Sequence, residues 1–348
     1  MRENEWSSQI GTPEVSAAPP ATPVASAVAT PNTREPERSS LKLGPHDRCL
    51  FYLMVATLHL LSLLPDFVLY PLGALGGLVG YVLDRRHVRI GLKNLELAFA
   101  RRSEKERRQI LRASYVNLGR DAAEYIRLGG FFRGRLKRRI TYERFEYWQK
   151  IGARYSGRGI LVLSAHFGNF ELLAPAHAIH GFQVNLVHHT QRYLAGDALM
   201  TFVRERVGVN ILRKNSAARG VLTALRRNQL VGIPFDQNAK RSDAVWVPFF
   251  GEPAATTTGL ARLAEISGAP VVPVFIVRQP DYRSHRIVIQ DEIPLVRDPD
   301  GKLDIEQTTA RFVHAIEGMV AHYPEQFLWT HRRYRTRPHC GMPPFYDS

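Results

Sequence analysis

The order of apolar and polar positions divides the chain into stretches of different character. Residues 1–45 follow neither a helical nor a strand period. They hold seven prolines, much Ala, Ser and Thr, and one aromatic residue, Trp6. Such a segment buries too little apolar surface to order itself, and a disordered tail is predicted. It lacks the basic start and immediate apolar run of a secretory signal. The pattern then changes abruptly. Residues 50–83 are rich in Leu, Val, Phe and Tyr, with Asp66 their only charged residue. Pro65-Asp66 divides them into pieces of 15 and 17 residues. A 15-residue helix reaches about 22 Å, short of a hydrocarbon core of about 30 Å. The second piece carries Gly73, Gly76, Gly77 and Gly80, at spacings that let another helix approach closely. A membrane-embedded anchor over 46–84 is predicted, either one tilted span or a shallow helical hairpin. A helix pair lying in the interface and a buried hairpin of a soluble core are the competing readings.

From Asp84 to Arg139 there are 17 Lys and Arg against six Asp and Glu. Basic residues beside an apolar anchor mark the cytoplasmic side and attract anionic head groups. The same stretch has a helical pattern. Ser103-x-x-Glu106 reads as a capping box and predicts a helix through about Leu128, whose polar face meets lipid phosphates or simply solvent. From Gly159 the pattern changes again. Apolar runs at 159–165, 183–188, 230–235, 271–277 and 285–290 read as strands. Helical patterns fall near 169–180, 194–207, 216–228, 256–267 and 305–321. This alternation predicts an α/β fold, a sheet flanked by helices. The parse is a tail (1–45), an anchor (46–84), a basic helical part (85–145), an α/β core (146–338) and a C-terminal tail (339–348).

Composition narrows the function. Hydrophobic residues are 45% and charged residues 23%, which excludes global disorder. Two cysteines, Cys49 and Cys340, exclude a disulfide scaffold and a Cys-based zinc site. The net charge of +15 asks for an anionic partner. The cations cluster beside an apolar anchor and no nucleic-acid reader module is present, so a membrane surface is preferred to nucleic acid. A non-enzymatic basic membrane adaptor is the rival of a different class.

The chemistry concentrates in Gly159-Ile-Leu-Val-Leu-Ser-Ala-His-Phe-Gly-Asn-Phe-Glu171. A buried strand ends at Ala165, so His166 sits at its carboxyl end, where α/β sheets place their sites. Gly168 permits a tight turn, and Asn169 is a natural N-cap for the next helix. Glu171 falls in the first helical turn and can face back to the imidazole. A carboxylate on one ring nitrogen fixes the tautomer and leaves the other as a base. No G-x-S-x-G elbow and no H-E-x-x-H pair occurs. Such a dyad without its own nucleophile suits deprotonation of a substrate hydroxyl, which then attacks an activated acyl group. Backbone N–H groups of the 168–171 turn are expected to steady the oxyanion. A strand-end histidine that merely caps the helix is the alternative.

His166-Phe-Gly-Asn-Phe-Glu171 resembles the H-x4-D/E box of glycerolipid acyltransferases, in a form similar to that of the late acyltransferases of lipid A biosynthesis. The resemblance extends over about residues 48–338. It includes Arg85–Leu95 with Asn94, Asn117-Leu-Gly-Arg with Glu124, Pro234-Phe-Asp236-Gln237, Val247-Pro-Phe-Phe-Gly251 with Ala255-Thr-Thr-Thr-Gly259, and Pro324–Tyr334. It implies an α/β mixed sheet flanked by helices, glycerolipid acyltransferase-like, behind an N-terminal helical membrane anchor. It implies an enzyme of the inner membrane with its site on the cytoplasmic face. The donor would be an acyl thioester on acyl carrier protein or coenzyme A, the acceptor a hydroxyl of a lipid A precursor or related membrane glycolipid. No cofactor and no metal is implied. Carried over by position, His166 is the general base, with Glu171 or Asp236 as its carboxylate partner. Gly168, Asn169, Gln237, Thr256, Thr257, Arg332 and Arg333 are expected to line the substrate site. Plain readings exist for several of these: a loop-capping Asp236, N-cap chemistry for the threonines, a surface basic pair for the arginines. Glu124 is expected chiefly to neutralise its basic neighbours.

One departure stands out. Where the family often carries an arginine after the second strand, this chain has Val187-His188-His189-Thr190-Gln191-Arg192, with His189 at the expected position. His189 and Arg192 are taken as acceptor-contacting candidates. The departure leaves a second acceptor class open, a phosphatidylinositol mannoside-type glycolipid acylated from acyl-coenzyme A.

Overall fold

The computed structural model describes residues 43–130, 134–188, 190–213, 217–339 and 341–346. Nearly all of the expected tail, along with His189 and Cys340, lies outside the described residues.

Four helices lead the chain: α1 (Pro45–Ser62), α2 (Asp66–Leu83), α3 (Arg85–Ala98) and α4 (Glu104–Gly129). Pro65 separates the first two, and Asp84 caps α3 by accepting the His87 N–H. The capping box at the start of α4 is present in both halves, Ser103 to the Glu106 N–H and Glu106 back to the Ser103 N–H. A short turn, α5 (Gly134–Lys137), leads into the α/β part.

That part contains β1 (Ile140–Glu143), α6 (Phe145–Arg154), β2 (Ile160–Ser164), α7 (Phe170–Ile179), β3 (Val184–His188), α8 (Leu194–Arg206), β4 (Val209–Arg213) and α9 (Ala217–Arg226). It continues through β5 (Leu230–Pro234), β6 (Ala244–Phe249), β7 (Glu252–Thr257), α10 (Gly259–Ser267), β8 (Val271–Arg278), β9 (His285–Ile289) and α11 (Ile305–His322). Seven strands form one mixed sheet in the order β1-β9-β8-β2-β5-β3-β4, and β6 and β7 form a separate hairpin. β8, β2, β5, β3 and β4 run parallel; β9 turns back antiparallel to β8 and takes β1 parallel to itself.

Period-two alternation divides the sheet's side chains between two cores. Leu161, Leu163, Val231, Phe275 and Val277 face one, with α10 and α11; Ile160, Val162, Leu230, Val274 and Ile276 face the other, with α6 and α7. β2 is buried throughout, as its near-continuous apolar run requires. The sheet flanked by helices matches the expectation. The expected helix at 256–267 begins only at Gly259, because residues 252–257 pair as β7 with β6. The segment read as a C-terminal tail returns to the body: Tyr346 is buried and its hydroxyl donates to Asn94 Oδ1 at 2.6 Å.

Candidate active site

β2 and β5 are neighbours in register, Ser164 opposite Pro234, and the Phe235 N–H continues the ladder to the Ser164 carbonyl at 2.9 Å. Two residues beyond the paired ends, His166 and Asp236 therefore emerge side by side at the carboxyl edge of the sheet. Asp236 is buried, and its Oδ1 accepts from His166 Nδ1 at 2.9 Å and from the His166 peptide N–H at 3.0 Å. A carboxylate at Nδ1 puts the ring proton there and leaves Nε2 basic. Nε2 stands 3.2 Å from the amide nitrogen of the exposed Gln237. Burial disfavours the imidazolium, but Asp236, with a smaller share from Glu171, outweighs it, so His166 titrates above the ordinary histidine value. Burial likewise pushes Asp236 upward, and His166 overcomes this to hold it below the usual carboxylate range.

A segment near the C-terminus fixes the histidine loop. Phe167 and Phe327 form an antiparallel bridge. The Leu328 N–H donates to the His166 carbonyl at 3.0 Å and the Gly168 N–H to the Gln326 carbonyl at 2.7 Å. Gly168 has φ +56°, and a Cβ there would lie 1.8 Å from the Ile276 carbonyl oxygen, so only glycine fits. The Gln326 side-chain amide pairs with both peptide groups of Arg278, at 2.8 and 3.1 Å. α3 and α4 hold the same segment from the other side. Asn94 donates to the carbonyls of Trp329 and His331, Ser114 to that of Phe327, and Asn117 to that of Glu325.

The expectation that Glu171 faces the imidazole is corrected. The strand register gives that place to Asp236, and Glu171 turns from the first turn of α7 toward α8. There Arg204 binds it with Nη2 at 2.8 and 2.7 Å and Nε at 3.1 Å. Arg204 Nη1 also donates to His188 Nδ1 at 3.0 Å, and His188 Nε2 donates to Asp197 at 2.6 Å, which Arg213 meets at 3.1 Å. The expected oxyanion donors of the 168–171 turn are corrected in one member: the Gly168 N–H is committed to the Gln326 carbonyl.

Asn169 caps α7 as expected, accepting from Leu172 at 3.2 Å, and donates to Glu124 at 2.6 Å. Sequence reasoning undervalued Glu124. It is fully buried and receives Arg278 through two nitrogens at 2.7 Å each, His285 at 2.9 Å and Tyr70 at 3.2 Å. Burial opposes its charge, yet His285 and Arg278 hold the carboxyl down to about 2. Beside it Asp121, an ion-pair partner of Arg278, is pushed up to about 7 by burial. The usable signal was the run Ala122-Ala123-Glu124-Tyr125-Ile126, an apolar turn inside a basic helix.

The other residues expected at the substrate site are placed as follows. Arg333 is buried and donates to the carbonyls of Gln237 and Ala255 at 3.1 and 2.7 Å and to the Thr256 hydroxyl. Thr257 accepts the Gly259 N–H at 3.2 Å. Arg332 lies over the Tyr346 ring, and Arg192 is exposed ahead of α8. His331, next to Arg332, accepts the Asn238 N–H at 2.9 Å and so steadies the loop after Asp236.

A narrow cleft lined by His166, Gly168, Phe170, Asn117, Leu118 and Asp121 reaches the ring. It shares Leu118, Asp121 and Phe170 with a cavity of about 620 Å³ between α1, α4, α7 and α8. Leu53, Leu58, Leu61, Ile126, Leu199 and Met200 make its walls largely apolar. The site thus joins a basic imidazole, oriented by a buried carboxylate, to an apolar chamber of ligand size.

Comparison with known proteins identifies a family. The profile of the bacterial lipid A biosynthesis acyltransferases matches residues 39–336. The chain is 31% identical to the lipid A biosynthesis lauroyltransferase of Escherichia coli K12 over 316 residues, 90% of this chain and all of the relative. It is 29% identical to the palmitoleoyltransferase of that organism, over 79% of this chain and 87% of the relative. With the myristoyltransferase the identity is 25%, over 80% and 84%. The chain is an acyltransferase and belongs to the bacterial lipid A biosynthesis acyltransferase family.

Proposed function

We propose that the protein transfers a fatty acyl group from an acyl thioester to a hydroxyl of a lipid A precursor at the cytoplasmic face of the inner membrane, by direct transfer with His166 as general base. The observation that carries the reading is the Asp236–His166 pair, whose imidazole lines a cleft that shares Leu118, Asp121 and Phe170 with an apolar cavity. The acceptor hydroxyl displaces the Gln237 amide from Nε2. Nε2 takes its proton as the oxygen attacks the thioester carbonyl, forming the C–O bond. The C–S bond then breaks, and the thiolate recovers the proton from the imidazolium, giving ester and free thiol. The positive end of α7 faces the developing oxyanion. The cavity between α1, α4, α7 and α8 holds a hydrocarbon chain, and Asp236 keeps the base in the required tautomer.

The donor is acyl carrier protein or coenzyme A thioester, which a paired assay separates. Purified protein is given labelled acyl groups on each carrier, with a lipid A precursor and a glycosylated phospholipid as competing acceptors. Acylation of the precursor is expected. His166→Ala is expected to lose transfer by roughly 100- to 10,000-fold with an unchanged melting temperature. Transfer retained in that variant would remove His166 from the reaction.

A further inference from the structure

α2 is long and apolar enough to cross a bilayer. At 1.5 Å per residue it is about 27 Å long. Its two faces differ. Asp66, Tyr70, Gly73, Gly77 and Gly80 line one side and meet α4. A Cβ on Gly73 would lie 2.4 Å from the Gly119 carbonyl oxygen, and one on Gly77 would lie 2.1 Å from that of Tyr115. Gly73 and Gly77 are thus consumed inside the molecule rather than by a neighbouring membrane helix, whereas Gly76 faces open space. The other side presents Phe67, Leu72, Leu75, Val79, Val82 and Leu83, each between 47% and 74% exposed. Leu53 and Leu60 of α1, and Leu63 just after it, extend this apolar surface. Contiguous exposed apolar surface of this kind marks a site of protein or membrane contact. Exposed arginines bracket it in sequence: Arg48 at the start of α1, and Arg85, Arg86 and Arg89 directly after α2.

We propose that this face sits in one leaflet of an anionic bilayer and that neither helix crosses it. A crossing would put the two ends of α2 on opposite sides. Both ends are fastened to the same body. At one end Asp66 pairs with Arg127 of α4 at 2.7 Å and with Arg139, at the entry to β1, at 2.6 Å. At the other, Tyr81 packs on Tyr115 of α4, and α3 begins, whose Asn94 is bonded to Trp329 and His331. α1 is held likewise along its length, Phe51 against Phe202 of α8 and the Ser62 carbonyl on Arg127. A span would break these contacts or draw the charges of α4 into hydrocarbon, where each is costly. An interfacial seat breaks none and inserts the free face by roughly 5–10 Å. Leu53 and Leu118 are exposed and also line the large cavity, which therefore opens at the edge of this face. The inference rests on packing and does not depend on acyl transfer.

The test uses full-length protein lacking Cys49 and Cys340, bound to preformed vesicles of phosphatidylethanolamine and phosphatidylglycerol. A membrane-impermeant maleimide is added outside to single-cysteine variants Pro65→Cys, at the turn between α1 and α2, and Arg86→Cys, after α2. Equal labelling of both without detergent is expected. Labelling of Pro65→Cys only after detergent would overturn the proposal. A bimane on Leu75→Cys is expected to be quenched more by a nitroxide near the lipid head group than by one near the chain end. Stronger quenching by the deep nitroxide, or none by either, would overturn it.

Discussion

A single carboxylate oxygen of Asp236 receives two hydrogen bonds from His166, one from the ring and one from its own peptide nitrogen. Ring orientation and backbone position are thereby set by the same atom. Asp236→Asn keeps the shape but loses the charge and can present its amide to Nδ1, which favours the wrong tautomer. Transfer is expected to fall on the order of 100- to 10,000-fold. The base must be neutral, so activity is lost as pH falls through the His166 pKa. Asp236 raises that pKa. The acidic limb of the residual activity of Asp236→Asn is therefore expected at lower pH than in the parent, as a pH–rate profile would show.

Much of this pair was readable in the sequence, although its partnership was not. The strand ending at Ala165, the turn glycine and the Asn169 cap all follow from local pattern. The choice between Glu171 and Asp236 depends on β2 lying beside β5 in a register that aligns Ser164 with Pro234, a long-range fact that no local period encodes. The same limit hid Arg204, which meets Glu171 from another helix. β4 and the β6–β7 hairpin were missed because Val209–Arg213 is short and partly polar, and because Thr256-Thr257 resembles cap chemistry.

Glu124 ties α2, α4, α7, β8 and β9 through one buried carboxylate. Glu124→Ala strands the Arg278 charge, although Asp121 still meets it. A loss of about 3–5 kcal/mol is expected, as for other broken buried ion pairs, and chaotrope titration would measure it.

His177 donates from Nδ1 to the Leu173 carbonyl at 2.9 Å and leaves Nε2 buried without a partner among the described residues. Burial pushes its pKa down to about 4, against 6.5 ordinarily. The unfolded chain therefore binds a proton that the folded chain excludes between these values. Its share of the stability is whole above about pH 6.5 and declines as pH falls toward about 4, by at most about 1.4 kcal/mol per pH unit. His177→Phe, among the aromatic neighbours Tyr142, Trp148 and Phe182, is expected to flatten that decline. Unfolding midpoints at pH 5 and pH 7 would show the difference between variant and parent shrinking or reversing at the acidic value.

Met200 and Leu199 line the wall of the large cavity on α8. Met200→Trp fills part of it. The product profile is expected to shift toward shorter acyl chains, by about tenfold or more in relative rate, since one methylene in an apolar pocket is worth about 1–3 kcal/mol. Mass spectrometry of products from a mixed donor pool would show it.

The helices proposed to seat in the lipid precede the α/β part, whereas the residues that fix the His166 loop come close to the C-terminal end of the described chain. Gln326 and Leu328 grip the loop on both sides of Phe167, and α3 and α4 hold their neighbours Glu325, Phe327, Trp329 and His331. During synthesis the hairpin is complete long before that clasp leaves the ribosome. On the proposed interfacial seat and with His166 as base, the nascent enzyme reaches its bilayer while His166 is still unaligned, so it arrives before it is able to react.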